Sequence, residues 1–300
     1  MWEDYLPETR ATPEIDRVDA KMSVDLSLAW PSDPTEARRA LSTLQRLGYA
    51  AVCWSHEVAE RLGPAHACPI TPLPELGDGG AADSSFTRRV RQHTRLTLHV
   101  EETAHLAAIR ASNDALRSYE VVAVVPHTEA MLEALLEPPV VDLIDVISLP
   151  SSSDRLFGSV LRHGLVRRAI ERGLALELCY SEALRDGLSR RRFVSAVQRV
   201  LPLLPRHARA EAGLVLSSGA DDARLLRSPA DVANLVTLFG CHPTAARQAV
   251  SDAGQRVLRR AAARRRPPPL APPPPAGLFE LEGEAANAEG EAKGKRKRAK

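Results

Sequence analysis

Histidine and carboxylate side chains follow several short apolar runs that are typical of strands. His56 and Glu57 follow the second run, Glu101 the third, His127 the fourth and Glu182 the sixth. In barrels of alternating strands and helices, reacting groups stand at the carboxyl ends of the strands. Histidines and carboxylates that converge there could bind a metal ion or act as a general acid and base.

The pattern of these residues argues against a metal centre. Metal-dependent hydrolysis on such a barrel needs several ligands around one ion, and a typical arrangement has H-x-H on one strand. The first strand has the sequence DLSL at 25–28, and the nine histidines are dispersed. No G-x-S-x-G elbow and no P-loop occurs in the sequence. The residues therefore favour rim positions and helix caps, and a metal-free acid–base pair drawn from Glu57, Glu101 or Glu182 stays open.

A run of arginines indicates a different chemistry. The stretch DGLSRRRFVSAVQRV predicts a helix over 189–203 with Ser189 as its N-cap. Arg190, Arg191 and Arg192 would then occupy the first turn, where the helix dipole disfavours cations. A bound polyanion would benefit from that placement, since helix amides and arginines together suit phosphate. An ordinary solvated charge run is the alternative interpretation.

Other arginines lie near the ends of predicted strands or helices, Arg117 and Arg155 among them. Together with a basic tail, they favour RNA as the partner. The sequence has no aromatic platform for stacking bases, so the contacts would be with phosphates and shape. The predicted RNA-binding residues are Arg95, Arg110, Arg190, Arg191, Arg192 and Arg227.

The elements that must position these residues alternate along the chain from 23 to about 240. Seven strand-like runs are each followed by a helical pattern or a loop, which predicts parallel strands joined by crossover helices. A chain of this size and repeat number suits a TIM-barrel-like (β/α) barrel, with an open doubly wound sheet as the alternative. The helix after the seventh run is expected to start with Ser228 as N-cap and Pro229 as its first residue. The other predicted helices cover 34–47, 102–116, 128–136, 156–172 and 243–263.

Composition sets the domain boundaries. Residues 1–22 carry six acids and three bases without sustained periodicity, so we expect a disordered extension, and Met22 is an alternative start. The barrel domain is placed at 23–262. A Pro-rich linker and charged tail follow at 263–300, ending in KGKRKRAK with six bases.

The totals point to an intracellular chain. The formal net charge of +2 is close to neutral, and the four cysteines show no C-x-x-C spacing. No apolar run reaches the roughly 18–20 residues of a membrane span, and no signal peptide is evident at the N-terminus. We therefore expect no membrane partner and a reducing compartment.

Several stretches occur in the order found in one known family. They are LGYAAVCWSHEV, TRLTLHV, LRSYEVVAVVPHTEAM, AIERGLALELCYSEALRD, RRRFVSAV, VLSSGADD and RSPADVANLVTLFG. Over about residues 23–258, the chain resembles the thirty-kilodalton protein subunit of ribonuclease P and ribonuclease MRP from archaea and eukaryotes. The ordered set is more specific than any one stretch.

The resemblance implies a barrel related to the polymerase-and-histidinol-phosphatase (PHP) metal phosphoesterases, without their metal ligands. It implies a subunit that is no enzyme on its own, binds no cofactor and supports a catalytic RNA, with Mg²⁺ expected on the RNA. The implied partners are ribonuclease P or MRP RNA, precursor tRNA, a small Pop-five-type protein and other subunits of the particle. The implied activities are removal of 5′ leaders from precursor tRNA and pre-rRNA processing.

Two further expectations accompany this resemblance. The basic tail would serve as a nuclear localisation signal, which suits a nuclear and nucleolar particle. A metal-dependent PHP-type phosphoesterase on the same barrel is the alternative function.

Overall fold

The structure, a computed structural model, describes residues 23–73, 89–149, 161–204 and 213–266. Within them, parallel strands form one sheet whose spatial order is their order in the sequence. The sheet curves into a nearly closed barrel, which confirms the predicted (β/α) barrel. The strands are β1 (Val24–Ala29), β2 (Ala51–Val58), β3 (Arg91–Val100), β4 (Val121–Pro126), β5 (Val146–Leu149), β6 (Ala175–Cys179) and β7 (Leu214–Ser217).

Helices lie between most of the strands and follow the last one. All the described residues up to Arg265 belong to one compact unit. None of the helices in the described ranges has the length and apolar composition that crossing a membrane requires. The helices are α1 (Pro34–Leu47), α2 (Thr103–Ala108), α3 (Asp114–Arg117), α4 (Glu129–Leu135), α5 (His163–Glu171), α6 (Glu182–Arg185), α7 (Gly187–Val200), α8 (Pro229–Thr237), α9 (Pro243–Val250) and α10 (Asp252–Arg265).

The first helix shows how local chemistry sets the element boundaries. The Asp33 carboxylate accepts a hydrogen bond from the Thr35 amide, and Pro34 occupies the first helical position. Gly48 ends the helix with φ of 88°. The prediction of a helix over 34–47 is confirmed.

Other predicted elements differ from the structure. The region predicted as one helix over 102–116 contains two short helices, because Asn113 caps a new helix after a turn. The predicted helix over 243–263 is divided at Ser251 into α9 and α10, and α10 continues to Arg265, beyond the predicted boundary at 262. The predicted terminal extension, most of the tail and the first part of the predicted 156–172 helix lie outside the described residues.

The seam between the first and last strands is closed by the Asp25 side chain together with a few backbone hydrogen bonds. The Asp25 carboxylate oxygen Oδ1 accepts from the amides of Ser218 (3.0 Å) and Ser27 (3.2 Å). Gly219 donates its amide to the Ser27 carbonyl at 2.7 Å. Gly219 has φ of 57°, and a Cβ there would stand 2.5 Å from the Cys179 Cβ, so only glycine fits this crossing.

The amino-terminal half of the barrel interior is apolar and is closed by α10. Buried Ala253, Val257 and Ala261 of this helix pack against the inward side chains at the beginnings of the strands. A Cβ on Gly254 would lie 2.8 Å from the Val24 Cβ, which shows how closely the helix approaches the strand. We call this helix and the strand beginnings around it the floor of the barrel.

The carboxyl-terminal half of the interior is polar and centres on a buried ion pair. Arg95 on β3 donates from Nη1 and Nη2 to the two carboxylate oxygens of Glu177 on β6, each at 2.6 Å, and both side chains are 0% exposed. Because β4 and β5 separate these strands in the sheet, the pair crosses the interior. Arg95 also donates to the Leu26 carbonyl (2.7 Å) and to the Thr97 hydroxyl (2.9 Å).

The charges of this pair stabilise each other against the cost of burial. Burial alone would raise the pKa of Glu177, but Arg95 and a hydrogen bond from Ser217 hold it below its ordinary value. Burial opposes the charge of Arg95 as well, yet Glu177 raises the pKa of the guanidinium. Arg95 was predicted to contact RNA. That prediction is corrected, because the enclosed side chain cannot reach a polyanion on the surface.

We expect loss of the Glu177 charge to destabilise the fold strongly. Glu177→Gln leaves the Arg95 guanidinium buried without a counter-charge, which costs about 3–5 kcal/mol. Glu171→Gln is the matched control, since Glu171 forms an exposed pair with Arg167 at 2.7 Å and its loss should change stability little. Urea unfolding of both variants measures the difference. Equal shifts of the two midpoints would contradict the structural role of the buried pair.

Asp25 should make stability fall as the pH rises. Burial raises the pKa of this carboxyl to about 6 from 3.8. Between pH 4 and 6 the folded chain keeps a proton on Asp25 that the unfolded chain has released. The contribution of this carboxyl to the free energy of unfolding is therefore complete below pH 4 and is lost as the pH rises to 6. Asp25→Asn should be more stable than the natural chain by about 3 kcal/mol at pH 7.5 and nearly equal to it at pH 4. Asp33→Asn, a change at an exposed helix cap, is the control. Parallel pH profiles for natural and Asp25→Asn chains in urea titrations would refute the assignment.

Candidate nucleic-acid interface

The arginine-rich helix α7 begins earlier than the sequence predicts. The Asp186 carboxylate accepts from the amides of Leu188 (2.8 Å) and Ser189 (2.9 Å), so Asp186 is the N-cap and Gly187 the first helical residue. Ser189 instead donates its hydroxyl to Asp186 at 2.7 Å. The hydrogen bonds from Ser189 and Leu188 lower the pKa of Asp186. The prediction that Ser189 caps the helix is wrong.

The shifted cap changes the position of the three arginines. The helix dipole repels cations most strongly in the first turn. The three arginines are the fourth to sixth residues of α7 and therefore lie beyond that turn: Arg190, Arg191 and Arg192. Arg190 Nε donates to the Ala183 carbonyl at 2.9 Å, and Arg191 Nε donates to the Gly187 carbonyl at 3.2 Å. Arg190 and Arg191 are exposed. A guanidinium has five N–H donors, so these single bonds leave others for a phosphate.

Arg227 mainly organises the chain before α8. Its amide donates to the Tyr180 hydroxyl at 2.9 Å, and its carbonyl accepts from the Tyr49 hydroxyl at 3.1 Å. Its Nη1 donates to the carbonyls of Arg224 and Leu226, both at 2.8 Å. The part-buried guanidinium therefore holds the backbone that leads into the helix. The predicted start of that helix is confirmed, since Ser228 is the N-cap and Pro229 the first residue.

Arg110 lies in a separate part of the molecule. It is exposed and, with Arg61, lines an open cavity of about 470 Å³ next to the cap of α3. The Asn113 side chain accepts from the Ala115 amide at 3.1 Å and donates to the Ala108 carbonyl at 2.9 Å, which fixes this wall. Arg110 follows β3 and the α7 arginines follow β6, and two strands intervene between them. The structure therefore does not bring the predicted arginines together.

Two histidines and two glutamates form a cluster at the carboxyl-terminal opening of the barrel. His99 Nδ1 lies 3.1 Å from His127 Nε2. Glu57 Oε2 lies 3.8 Å from His99 Nε2, and Glu101 Oε1 lies 3.6 Å from His127 Nε2. We call these four residues the mouth cluster. Sequence reasoning missed His99, although it stands on the inward side of β3 next to the end of the strand.

Charge and burial set the protonation of the mouth cluster. The nearby His99 ring lowers the pKa of Glu57. Burial lowers the pKa of His127, a shift that Glu101 opposes and His99 reinforces. One ring must donate and the other accept across the 3.1 Å contact, so at least one of the two imidazoles is neutral. The cluster can hold and exchange a proton at the opening of the barrel.

The other candidates for acid–base chemistry have structural partners. His56, predicted at a strand end, lies within β2, and its Nδ1 contacts the Tyr119 hydroxyl at 2.5 Å. That hydroxyl donates onward to the His66 carbonyl. Glu182 pairs with Arg185 at 3.3 Å. In the described ranges, no group of three or more His, Cys, Asp or Glu side chains is arranged to hold a metal ion.

Comparison with known proteins gives concordant results. Residues 22–266 match the family model described as RNase P subunit p30. The mouse ribonuclease P protein subunit p30 is 31% identical over 227 residues, covering 76% of this chain and 81% of the mouse protein. Protein GAMETOPHYTE DEFECTIVE 1 of Arabidopsis thaliana is 33% identical over 220 residues, covering 68% of this chain. The chain spans only 36% of the length of that plant protein.

A solved structure shares the fold. A chain in the cryo-EM structure of archaeal ribonuclease P with mature tRNA aligns with a TM-score of 0.55 and 14% identity, covering 83% of this chain and 99% of the archaeal one. At this identity the likeness shows the barrel alone. The family match spans nearly all of the described barrel, from its first strand to α10. The chain therefore belongs to the RNase P subunit p30 family.

Proposed function

We propose that the chain is a protein component of ribonuclease P that supports the RNA subunit in removing 5′ leaders from precursor tRNA. The family match over residues 22–266 carries this proposal. The barrel shared with a chain of archaeal ribonuclease P supports it. We extend the proposal to ribonuclease MRP and pre-rRNA processing on the sequence resemblance.

In this proposal the phosphodiester chemistry belongs to the RNA, and Mg²⁺ is bound there. The position where a barrel enzyme would hold its reacting groups is filled by other contacts. Arg95 and Glu177 occupy the interior below the opening, and the mouth cluster offers no group of three metal ligands among the described residues. The metal-dependent phosphoesterase alternative therefore has no ligand set in the described part of the chain.

The partners follow from the same proposal. We propose ribonuclease P and MRP RNA, precursor tRNA, a small Pop-five-type protein and further subunits of the particle, in the nucleus and nucleolus. The exposed arginines at Arg110, Arg190 and Arg191 are the predicted residues best placed for phosphate contacts. Arg192 is partly buried beside them, and Arg227 contributes mainly by ordering the backbone.

The decisive experiment is to recover the RNA that accompanies the chain. The tagged full-length chain is purified from its own cells at moderate salt, and the bound RNA is sequenced. We expect a ribonuclease P-type RNA, and precursor tRNA cleavage by the eluate. Turnover of a small phosphate ester by the RNA-free chain, with no such RNA recovered, would favour the phosphoesterase instead.

Arg190→Gln/Arg191→Gln tests the α7 arginines. If both contact phosphates, the slope of log affinity for a ribonuclease P RNA transcript against log salt should fall by about 0.7–0.9 for each lost contact. The matched control is Arg38→Gln/Arg167→Gln, which removes two exposed arginines from the outer helices α1 and α5. Filter-binding titrations at several salt concentrations give both slopes. The same slope in variant and control would remove these arginines from the interface.

A further inference from the structure

The floor of the barrel presents five arginines to solvent from four parts of the fold. Arg46 lies in the last turn of α1, Arg91 begins β3, Arg172 follows α5, and Arg259 and Arg265 belong to α10. All five side chains belong to exposed residues. We call them the basal surface.

Contacts of α10 bring part of this surface together. Arg260 points inward and donates to the carbonyls of Arg172 (2.9 Å), Val141 (2.9 Å) and Ile144 (3.1 Å). These bonds tie α10 to the segments that precede β5 and β6. The exposed Arg259 therefore stands on a helix that is fixed beside Arg172.

Two carboxylates at the floor already have other partners. Asp145 is buried and pairs with Arg264 at 2.8 Å. Glu120 pairs with His93 at 2.7 Å, while Arg265 lies 3.8 Å from the same carboxylate. Arg264 and His93 are thus the nearest partners of these two carboxylates. The exposed arginines of the basal surface add positive charge.

Four members of the basal surface have no counter-ion within the described ranges. Arg46 donates to the Thr43 hydroxyl at 3.5 Å, and Arg259 donates to the Gln255 carbonyl at 3.3 Å. Arg91 and Arg172 form no ion pair with any described carboxylate. The surface therefore carries a net positive charge that intramolecular contacts leave available.

Helix dipoles account for only part of this pattern. Arg46, Arg172 and Arg265 stand at the carboxyl ends of helices, where cations are favoured. Arg259 stands in the middle of α10 and Arg91 opens a strand, so the dipole gives no reason for either. Next to Arg259 on the outer side of α10, Ala262 and Ala263 are exposed, and their small side chains allow a large partner to approach the helix closely.

We propose that the basal surface also binds the RNA phosphate backbone, so that RNA is held at the floor of the barrel, the end opposite to the one where barrel enzymes react. This rests on the proposed function and specifies the surface that meets the RNA. Exposed guanidinium groups without counter-ions suit phosphates, which arginine can bind through two parallel hydrogen bonds.

Chemical modification of the purified particle tests the proposal. The complex recovered with the full-length chain is treated with phenylglyoxal, which modifies accessible arginines, and modification is read by mass spectrometry before and after nuclease digestion. We expect Arg91, Arg259 and Arg265 to be protected in the complex and to become reactive after digestion, while Arg38 reacts in both samples. Reactivity of the basal arginines in the intact complex, or protection that survives complete digestion, would overturn the proposal.

A pair of variants gives an independent measurement. Arg259→Gln/Arg265→Gln keeps the inward Arg260 and Arg264 contacts of α10. We expect its affinity for a ribonuclease P RNA transcript at physiological salt to fall at least about ten-fold, and its salt slope to fall by roughly 1.5, for two lost phosphate contacts. Arg38→Gln/Arg167→Gln removes the same charge from the sides of the barrel and should change both quantities less. Equal effects of the two double variants would overturn the basal site.

The two proposals fail separately. Recovery of ribonuclease P RNA with unprotected basal arginines would retain the proposed function and reject the basal surface. Failure to recover such RNA, together with unchanged precursor tRNA cleavage in extracts depleted of the chain, would reject the proposed function. Circular dichroism of the Arg259→Gln/Arg265→Gln chain confirms that any loss of binding arises in a folded barrel.

Discussion

The ion pair between Arg95 and Glu177 is the constraint on which the carboxyl-terminal half of the barrel depends. The pair joins strands that are not neighbours and is completely enclosed. An isolated charge at this depth would be very unfavourable, so each side chain requires the other in its place. Thr97, Ser217 and the Leu26 carbonyl complete the hydrogen bonds of the pair. The space beneath the barrel opening is thereby occupied by these side chains.

The two ends of the barrel consequently differ in character. The opening carries the mouth cluster, in which carboxylates lie beside imidazoles. The floor is covered by α10 and faces solvent with exposed arginines. Barrel enzymes place their active sites at the opening, the carboxyl-terminal end. A binding subunit has no such restriction, because its task requires charge and shape on an accessible surface rather than reacting groups in a water-excluded cavity.

The barrel could be predicted from the sequence because its strands are short apolar runs bounded by helix caps. Ser228 and Pro229 start α8 where the pattern places them. The start of α7 could not be fixed in this way, since Asp186 and Ser189 are both good caps and the choice depends on backbone geometry. Arg95 stood out only as a charge near a strand, because its partner is 82 positions away in the sequence. His99 was missed because its neighbours come from β2 and from the loop after β4, which only the register of the sheet brings together.

The position of α10 at the floor determines when the apolar core can close as the chain is synthesised. Its helix, α10, is the last described element of the barrel unit, yet it buries side chains at the beginnings of strands from β1 onward. A growing chain can therefore pair its strands before it can cover their apolar inner residues, and those residues stay open to water until Ala253, Val257 and Ala261 have been made. Because α10 and the strand beginnings are distant in the sequence, their contacts slow folding. The apolar surface that α10 will cover stays exposed in the meantime and can bind other proteins. The helix that closes the core of the finished barrel is thus the element whose late synthesis leaves the nascent barrel prone to aggregation.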